Sequence, residues 1–72
     1  MIILETNIRE FRLKKGLTQQ ELADLVGVSR QTINALENAR YNPSLILSYN
    51  ITKKLGKSLI EEVFIFSKKD EV

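Results

Sequence analysis

The side chains with the clearest potential for specific chemistry lie in VSRQTINALEN, residues 28–38. On a helix of about 100° per residue with Ile33 facing inward, the opposite side carries polar or small side chains and no acidic one. Glutamine and asparagine match adenine, arginine matches guanine, and an alanine methyl can contact a thymine methyl. The pattern therefore favours contact with nucleic-acid bases over ordinary solvation of a helix surface. The residues on this side are Gln31, Asn34, Ala35 and Asn38, with Arg30 beside them at the start of the segment.

Helix start and stop signals predict the elements that position this segment. Glycines at 16, 27 and 56 each follow a helical pattern and precede a serine or threonine, which are the preferred residue types at helix ends and starts. TQQE (18–21) and SLIE (58–61) both match the capping box, and Pro43 favours a further start with Asn42 or Ser44 as the cap. The predicted helices span residues 6–15, 18–26, 29–39, 44–55 and 58–63.

The two ends of the chain carry short apolar runs, MIIL (1–4) and VFIF (63–66). Their β-branched and aromatic content is compatible with two antiparallel strands, or with two segments tucked into the core. Residues 67–72 are expected to form a flexible tail. The predicted fold is an all-α domain of five helices over residues 1–66, with this strand pair as an option.

Length and composition exclude several classes of function. The chain has 72 residues and contains neither cysteine nor histidine, so disulfides and thiolate metal sites are ruled out and the commonest acid–base catalyst is absent. No pair of acids is placed for catalysis, and no glycine-rich phosphate loop is present. We therefore expect no enzyme, metal or cofactor. From the length we also do not expect a domain that senses a small-molecule effector. The N-terminal apolar run is too short for a signal peptide or membrane span, which predicts a cytoplasmic protein without a membrane partner.

The second and third predicted helices are joined by the tight turn GVS, which is typical of a helix-turn-helix whose second helix enters the major groove. The segment LTQQELADLVGVSRQTINALENARYNPSL strongly resembles the Xre/Cro-type (lambda-repressor-like) helix-turn-helix family, and the resemblance extends over about residues 8–64. It implies a homodimer that binds double-stranded DNA at a palindromic operator and regulates transcription, usually by repression. The alternative function is an antitoxin-type module that binds a protein partner and autoregulates its own promoter.

The resemblance also implies roles for individual residues. Gln19 and Asn38 match family positions that contact phosphates. Positions that face the bases are matched by Arg30, Gln31, Asn34 and Ala35. Further phosphate contacts are expected at the start of the third helix and in the segment after it, with packing as the alternative for Thr32 and Tyr41. These residues are Ser29, Thr32, Arg40, Tyr41 and Asn42.

Glu37 falls on the inward side of the third helix, together with Leu36 and Arg40. A buried carboxylate needs a partner, and Arg12 matches the family position that pairs with it. We expect an Arg12–Glu37 ion pair that fixes the third helix relative to the first.

Three consecutive apolar residues, Leu45, Ile46 and Leu47, cannot all face one core on a helix. A lone exposed isoleucine would account for this, but a second apolar surface for dimerisation is the preferred interpretation. The predicted interface residues are Ile46, Leu59, Val63, Phe64, Ile65 and Phe66.

Overall fold

A computed structural model describes residues 5–65 of the chain, and its five helices lie close to the predicted segments. A two-stranded antiparallel sheet joins the two ends of the helical part. The elements, in chain order, are β1 (Glu5–Thr6), α1 (Ile8–Lys14), α2 (Gln19–Val26), α3 (Arg30–Glu37), α4 (Leu45–Lys54), α5 (Ile60–Val63) and β2 (Phe64–Ile65). The expected five-helix fold with a small strand pair is confirmed.

Strand β1 is formed by the two residues that directly follow the predicted N-terminal run. Glu5 pairs with Ile65 and Thr6 pairs with Phe64. The Asn7 N–H donates a further hydrogen bond, 2.7 Å long, to the carbonyl of Val63, which ends α5 instead of beginning a strand. Residues 1–4, Phe66 and the predicted tail at 67–72 lie outside the described residues.

The helix starts follow the predicted caps with one exception. At α2, the Glu21 N–H donates to Thr18 Oγ1 at 3.0 Å and the Thr18 N–H donates to Glu21 Oε1 at 2.9 Å, so the expected capping box is present. The box predicted from Ser58 and Glu61 is wrong. Because α5 begins at Ile60, the acid of its first turn is Glu62, whose Oε1 accepts from the backbone N–H groups of residues 58 and 59.

The third helix is shorter than the predicted 29–39, because the backbone turns left-handed at Ala39, where φ is 56°. The Arg40 N–H closes this end by donating to the carbonyl of Ala35 at 2.8 Å. Arg40 therefore lies beyond α3, whereas its predicted inward direction assumed that the helix continued to this residue. Its side chain is exposed, so that part of the prediction is wrong.

A single core lies between the helices and the sheet. It is made of apolar side chains that are 0 to 2 % exposed: Ile8, Leu22, Ala23, Ile33, Leu36, Ile51, Leu55, Val63 and Phe64. Two of these residues, Val63 and Phe64, were predicted to form a dimer interface. That prediction is wrong, because both side chains are fully buried within one copy of the chain.

Helix α4 separates an inner from an outer face. Leu47 packs against the core, whereas Leu45 and Ile46 are 75 % and 71 % exposed, so the three consecutive apolar residues are divided between two surfaces. On the inner face the buried Ser48 and Thr52 hydroxyls donate to the carbonyls four residues earlier, which satisfies both groups without another partner. Among residues 5–65, none of the helices has the length and apolar character needed to cross a membrane.

Candidate nucleic-acid interface

A tight turn sets α3 against α2. Gly27 ends α2 in the left-handed conformation with φ of 75°, and the Val28 N–H then donates to the carbonyl of Ala23 at 3.0 Å. Ser29 begins α3 two residues after the glycine, since its hydroxyl accepts from the Thr32 N–H at 3.2 Å. The short turn and the immediate cap leave α3 little freedom to move relative to α2.

The outward edge of α3 carries side chains that are not committed to the fold. Ile33 and Leu36 are completely buried, whereas Arg30, Gln31 and Asn34 are exposed. Within residues 5–65, the side chains of these three exposed residues form no hydrogen bond or ion pair. Their donors and acceptors are therefore available to an external partner. We call Arg30, Gln31, Asn34 and the half-buried Ala35 the α3 edge.

The ion pair expected beneath this edge is present. Arg12 Nε lies 2.7 Å from Glu37 Oε2, and Arg12 Nη2 lies 3.2 Å from Glu37 Oε1, so the contact uses two donors and two acceptors. The two side chains are only 9 % and 3 % exposed. Arg12 Nη1 also donates to the carbonyl of Leu17 at 2.8 Å, which links the pair to the segment before α2. This contact joins α1, α3 and the start of α2.

Gln19 belongs to the same network. Its Nε2 donates to Glu37 Oε1 at 3.1 Å, and the side chain is half-buried. The resemblance assigned Gln19 only to phosphate contact, and this bond was not anticipated from the sequence. Since a primary amide has two N–H donors, the bond to Glu37 orients Gln19 while leaving one donor for another acceptor.

The other residues predicted to contact phosphates differ in their exposure and in their hydrogen bonds within the domain. The Ser29 and Thr32 hydroxyl oxygens lie 3.1 Å apart, so both take part in the start of α3. Asn38 is exposed and its Nδ2 donates to the carbonyl of Asn34 at 2.8 Å. Tyr41 is 47 % exposed, which disfavours the packing role. The side chains of the adjacent residues Arg40 and Asn42 are exposed as well.

A polar cleft lies where α1, the start of α2 and α3 meet. Its volume is about 330 Å³, and one lining residue, Arg9, has no predicted role. The spacing of three residues between Arg9 and Arg12 places both on one face of α1, and this spacing is the sequence signal that could have identified Arg9. The lining residues are Arg9, Arg12, Gln19, Asn34, Glu37 and Asn38.

Comparison with known families agrees with this arrangement. The helix-turn-helix family, in its Xre/lambda-repressor-like form, matches residues 8–61, which is most of the chain. This chain belongs to that family. The turn between α2 and α3 is thus the turn of a helix-turn-helix, and α3 is its second helix. Helix-turn-helix proteins of this kind bind DNA and regulate transcription, and the chain is a member of that class.

Two archaeal proteins similar to this chain are also helix-turn-helix transcriptional regulators. An uncharacterized HTH-type transcriptional regulator of Methanothermobacter thermautotrophicus is 58 % identical over 62 residues, which cover 86 % of this chain and 90 % of the relative. A second, from Archaeoglobus fulgidus, is 54 % identical over 63 residues, covering 88 % and 89 % of the two chains. Similarity therefore extends over nearly the full length of both relatives.

Two solved structures show the same fold in bacterial helix-turn-helix proteins. The restriction-modification controller protein C.AhdI from Aeromonas hydrophila is 32 % identical, with a TM-score of 0.71, and the alignment covers 78 % of this chain and 80 % of that protein. The hypothetical transcription factor NHTF from Neisseria is 34 % identical with the same TM-score. That alignment covers 78 % of this chain but only 63 % of NHTF.

Proposed function

We propose that the protein is a sequence-specific repressor that binds a palindromic operator in double-stranded DNA as a homodimer and acts in the cytoplasm. The observation that carries this proposal is the α3 edge, whose exposed hydrogen-bonding side chains have no partner among residues 5–65. A regulator whose operator overlaps a promoter would repress by excluding the transcription machinery. The relatives support regulation of transcription as the general role.

In the proposed complex α3 lies in the major groove, which is wide enough for a helix and presents a distinct pattern for each base pair. Arg30 and Gln31 lie in the first turn of α3, and the first turns of a recognition helix are the part that reaches the base edges. Ala35 has a small side chain next to them, which allows the helix backbone to approach closely. Asn34 completes the set of base contacts.

Phosphate contacts hold α3 in register on both sides of the α3 edge. Gln19 at the start of α2 supplies one, with its amide oriented by Glu37. Asn38 and the exposed residues 40–42 supply others where the chain leaves α3. Ser29 and Thr32 lie at the start of α3, where their hydroxyls can approach the backbone of the duplex.

A homodimer follows from the need to read two half-sites, whose recognition helices would lie about 34 Å apart. The exposed apolar side chains on α4 and directly before α5 support this part of the proposal, since Ile46 and Leu59 are 71 % and 58 % exposed. Ile65 is 38 % exposed and can extend the same interface. A domain of this size also buries a modest core, so association would add stability.

The proposal is tested by selecting bound duplexes from a random pool with the purified protein. We expect an enriched sequence with two inverted half-sites, and binding that weakens by about a factor of ten or more when salt rises from about 50 to 200 mM. Enrichment of a single, non-inverted site would contradict the symmetric dimer. Absence of any enriched sequence would contradict sequence-specific binding.

A further inference from the structure

Lysine side chains gather where the C-terminal ends of α1 and α4 meet. Lys57 Nζ lies 4.2 Å from the centroid of the Phe11 ring, and Lys14 Nζ lies 5.9 Å from the same centroid. Lys15 reaches the end of α4, because its Cε lies 3.1 Å from the position that a Cβ atom would occupy at Gly56. The three lysines therefore form one surface beside the ring. We call Phe11, Lys14, Lys15 and Lys57 the lysine patch.

The charge of the lysine patch is not balanced by neighbouring acids. Within residues 5–65, neither Lys15 nor Lys57 forms an ion pair. Lys14 Nζ lies 3.6 Å from Glu10 Oε1, but these two side chains are 67 % and 58 % exposed, and a pair so exposed to water is weak. Like charges that are held close together repel each other. A partner with negative charge would relieve this repulsion.

The ends of the two helices do not account for all of this charge. The negative end of a helix dipole corresponds to about half an elementary charge, so one cation at each end is enough to balance it. The last turn of α1 already contains Arg12 and Lys14, and the last turn of α4 contains two lysines of its own. Lys15 and Lys57 lie beyond these turns. Their charges exceed what the helix ends require.

The lysine patch faces away from the surface proposed to bind DNA. On α1, at about 100° per residue, the mean direction of Phe11, Lys14 and Lys15 is roughly 140° from that of Arg9 and Arg12. Arg9 and Arg12 line the polar cleft beside the α3 edge. A duplex bound at the α3 edge therefore lies on the other side of α1 from the patch, and its phosphates do not neutralise these lysines.

The chemistry of the patch favours an acidic polypeptide over a second nucleic acid. Lys57 Nζ covers a face of the Phe11 ring, which is where a base of a single strand would stack. The patch contains no arginine, whose planar fork matches phosphate better than the ammonium group of lysine does. Leu13 directly precedes Lys14 and is 57 % exposed. An apolar side chain of a polypeptide can bury this leucine, whereas a phosphate backbone offers no apolar group.

We propose that the lysine patch docks an acidic segment of another protein, whose carboxylates pair with the three lysines and whose apolar side chains contact Leu13. This interaction goes beyond the proposed function, which involves only DNA and a second copy of the chain. Because the patch and the polar cleft lie on different sides of α1, the domain can hold the segment and the operator together. The regulator would then bring an acidic partner to the promoter.

The first test uses a fluorescent peptide of glutamates interspersed with leucines and measures its binding by anisotropy. The double variant Lys15→Gln, Lys57→Gln should weaken peptide binding roughly three- to tenfold, as loss of two charge pairs near the surface does, and should leave binding of the selected duplex unchanged. The matched control is Arg30→Gln, Arg40→Gln, which lowers the net charge equally at exposed positions outside the patch. The control should bind the peptide like the unsubstituted protein and lose affinity for the duplex.

The second test separates the two kinds of partner by competition. Saturation of the unsubstituted protein with the selected duplex should leave its affinity for the peptide unchanged. Displacement of the peptide from the Arg30→Gln, Arg40→Gln variant by unrelated duplex DNA would show that the patch binds nucleic acid, which would overturn the proposal. Equal peptide binding by the two double variants would overturn it as well, because the attraction would then depend on net charge alone. Since the peptide measurement needs no DNA, failure to bind any duplex would overturn only the proposed function.

Discussion

Two surfaces of this domain expose side chains of opposite chemical character, one polar and one apolar. The α3 edge exposes hydrogen-bonding side chains that have no partner within residues 5–65. Nearer the C-terminus, α4 and the residue before α5 expose apolar side chains that the core does not use. We call the second set the apolar side, and its members are Leu45, Ile46, Tyr49 and Leu59, all more than half exposed.

The two surfaces differ in how the fold supports them. The α3 edge is held by a buried ion pair, a capped helix start and a tight turn, so its side chains are presented from a fixed backbone. Three members of the apolar side lie on the outer face of α4, whose inner face packs on the core, and the fourth, Leu59, directly precedes α5. Binding of polar side chains is favourable when the partner has matching donors and acceptors, whereas burial of exposed apolar side chains is favourable against any surface that excludes water. This difference supports the proposal that DNA binds the first surface and that a second copy of the chain covers the second.

The largest expected effect comes from breaking the support of the α3 edge. Glu37→Gln removes the negative partner of Arg12 and leaves a nearly buried guanidinium without a counter-charge. We expect the free energy of unfolding to fall on the order of 3 kcal/mol. Urea denaturation followed by circular dichroism measures the change.

The control for Glu37→Gln replaces the whole pair by apolar residues of similar size. The double variant Arg12→Met, Glu37→Leu should recover much of the lost stability, because no buried charge remains. Its DNA affinity should remain lower than that of the unsubstituted protein, because Gln19 has lost the acceptor that orients it. An unchanged unfolding free energy in Glu37→Gln would mean that the ion pair does not stabilise the fold.

The next effect separates base contacts from phosphate contacts. Gln31→Ala removes an exposed amide from the α3 edge and should cost about 1 to 3 kcal/mol of discrimination at one base pair of each half-site. Gln19→Ala should weaken binding to all duplexes alike, because phosphates are common to every sequence. Repeating the duplex selection with each variant measures both effects. A uniform loss from both variants would show that the α3 edge holds phosphates only.

A smaller effect is expected from the apolar side. Ile46→Glu introduces a charge at a side chain that is 71 % exposed in the single chain, so the monomer should remain folded. Loss of its burial in the dimer should weaken association by about 1 to 2 kcal/mol, or roughly 5- to 30-fold. Analytical ultracentrifugation over a range of concentrations measures this change.

The matched control is Leu25→Glu on α2, where the leucine is 49 % exposed and lies outside the predicted interface. Both variants change the net charge equally, so a difference between them reports on position. If both dimerise like the unsubstituted protein, or if the unsubstituted protein is monomeric at micromolar concentration, the assignment of the apolar side is wrong.

Sequence reasoning predicted the parts of the fold that depend on local chemistry. Thr18 with Glu21 forms the predicted capping box, and Ser29 caps α3, because caps are decided by residues within one turn. The ion pair of Arg12 and Glu37 was also anticipated, from inward direction on a helix together with the family resemblance.

The errors arise where tertiary packing decides between local alternatives. Val63 and Phe64 form an apolar run that can serve a core or an interface equally well, and only the arrangement of the other helices places them inside. The bond from Gln19 to Glu37 spans 18 residues and has no local signal. The left-handed turn at Ala39 was missed because alanine, unlike glycine, favours continuation of a helix.

The smallest predicted effect is a change in the free energy of unfolding at Ala39, in the turn that ends α3. An alanine at φ of 56° bears a steric cost of about 1 to 2 kcal/mol that glycine does not. Relief of this cost would stabilise the glycine variant. Part of the stabilisation is lost, because glycine has more conformational freedom in the unfolded chain, which favours unfolding by about 0.4 to 1 kcal/mol. Ala39→Gly should therefore raise the free energy of unfolding by about 0.5 to 1 kcal/mol. The denaturation midpoint, at an unchanged m-value, measures the gain.

The matched control for this variant is Ala35→Gly, which places the same substitution at a helical position of α3. It should destabilise the domain by about 0.5 to 1 kcal/mol, opposite in sign. Ala39→Gly should also leave base preference unchanged, because residue 39 lies beyond the end of α3 at Glu37. Destabilisation by both glycines would show that Ala39 does not bear the steric cost assigned to it.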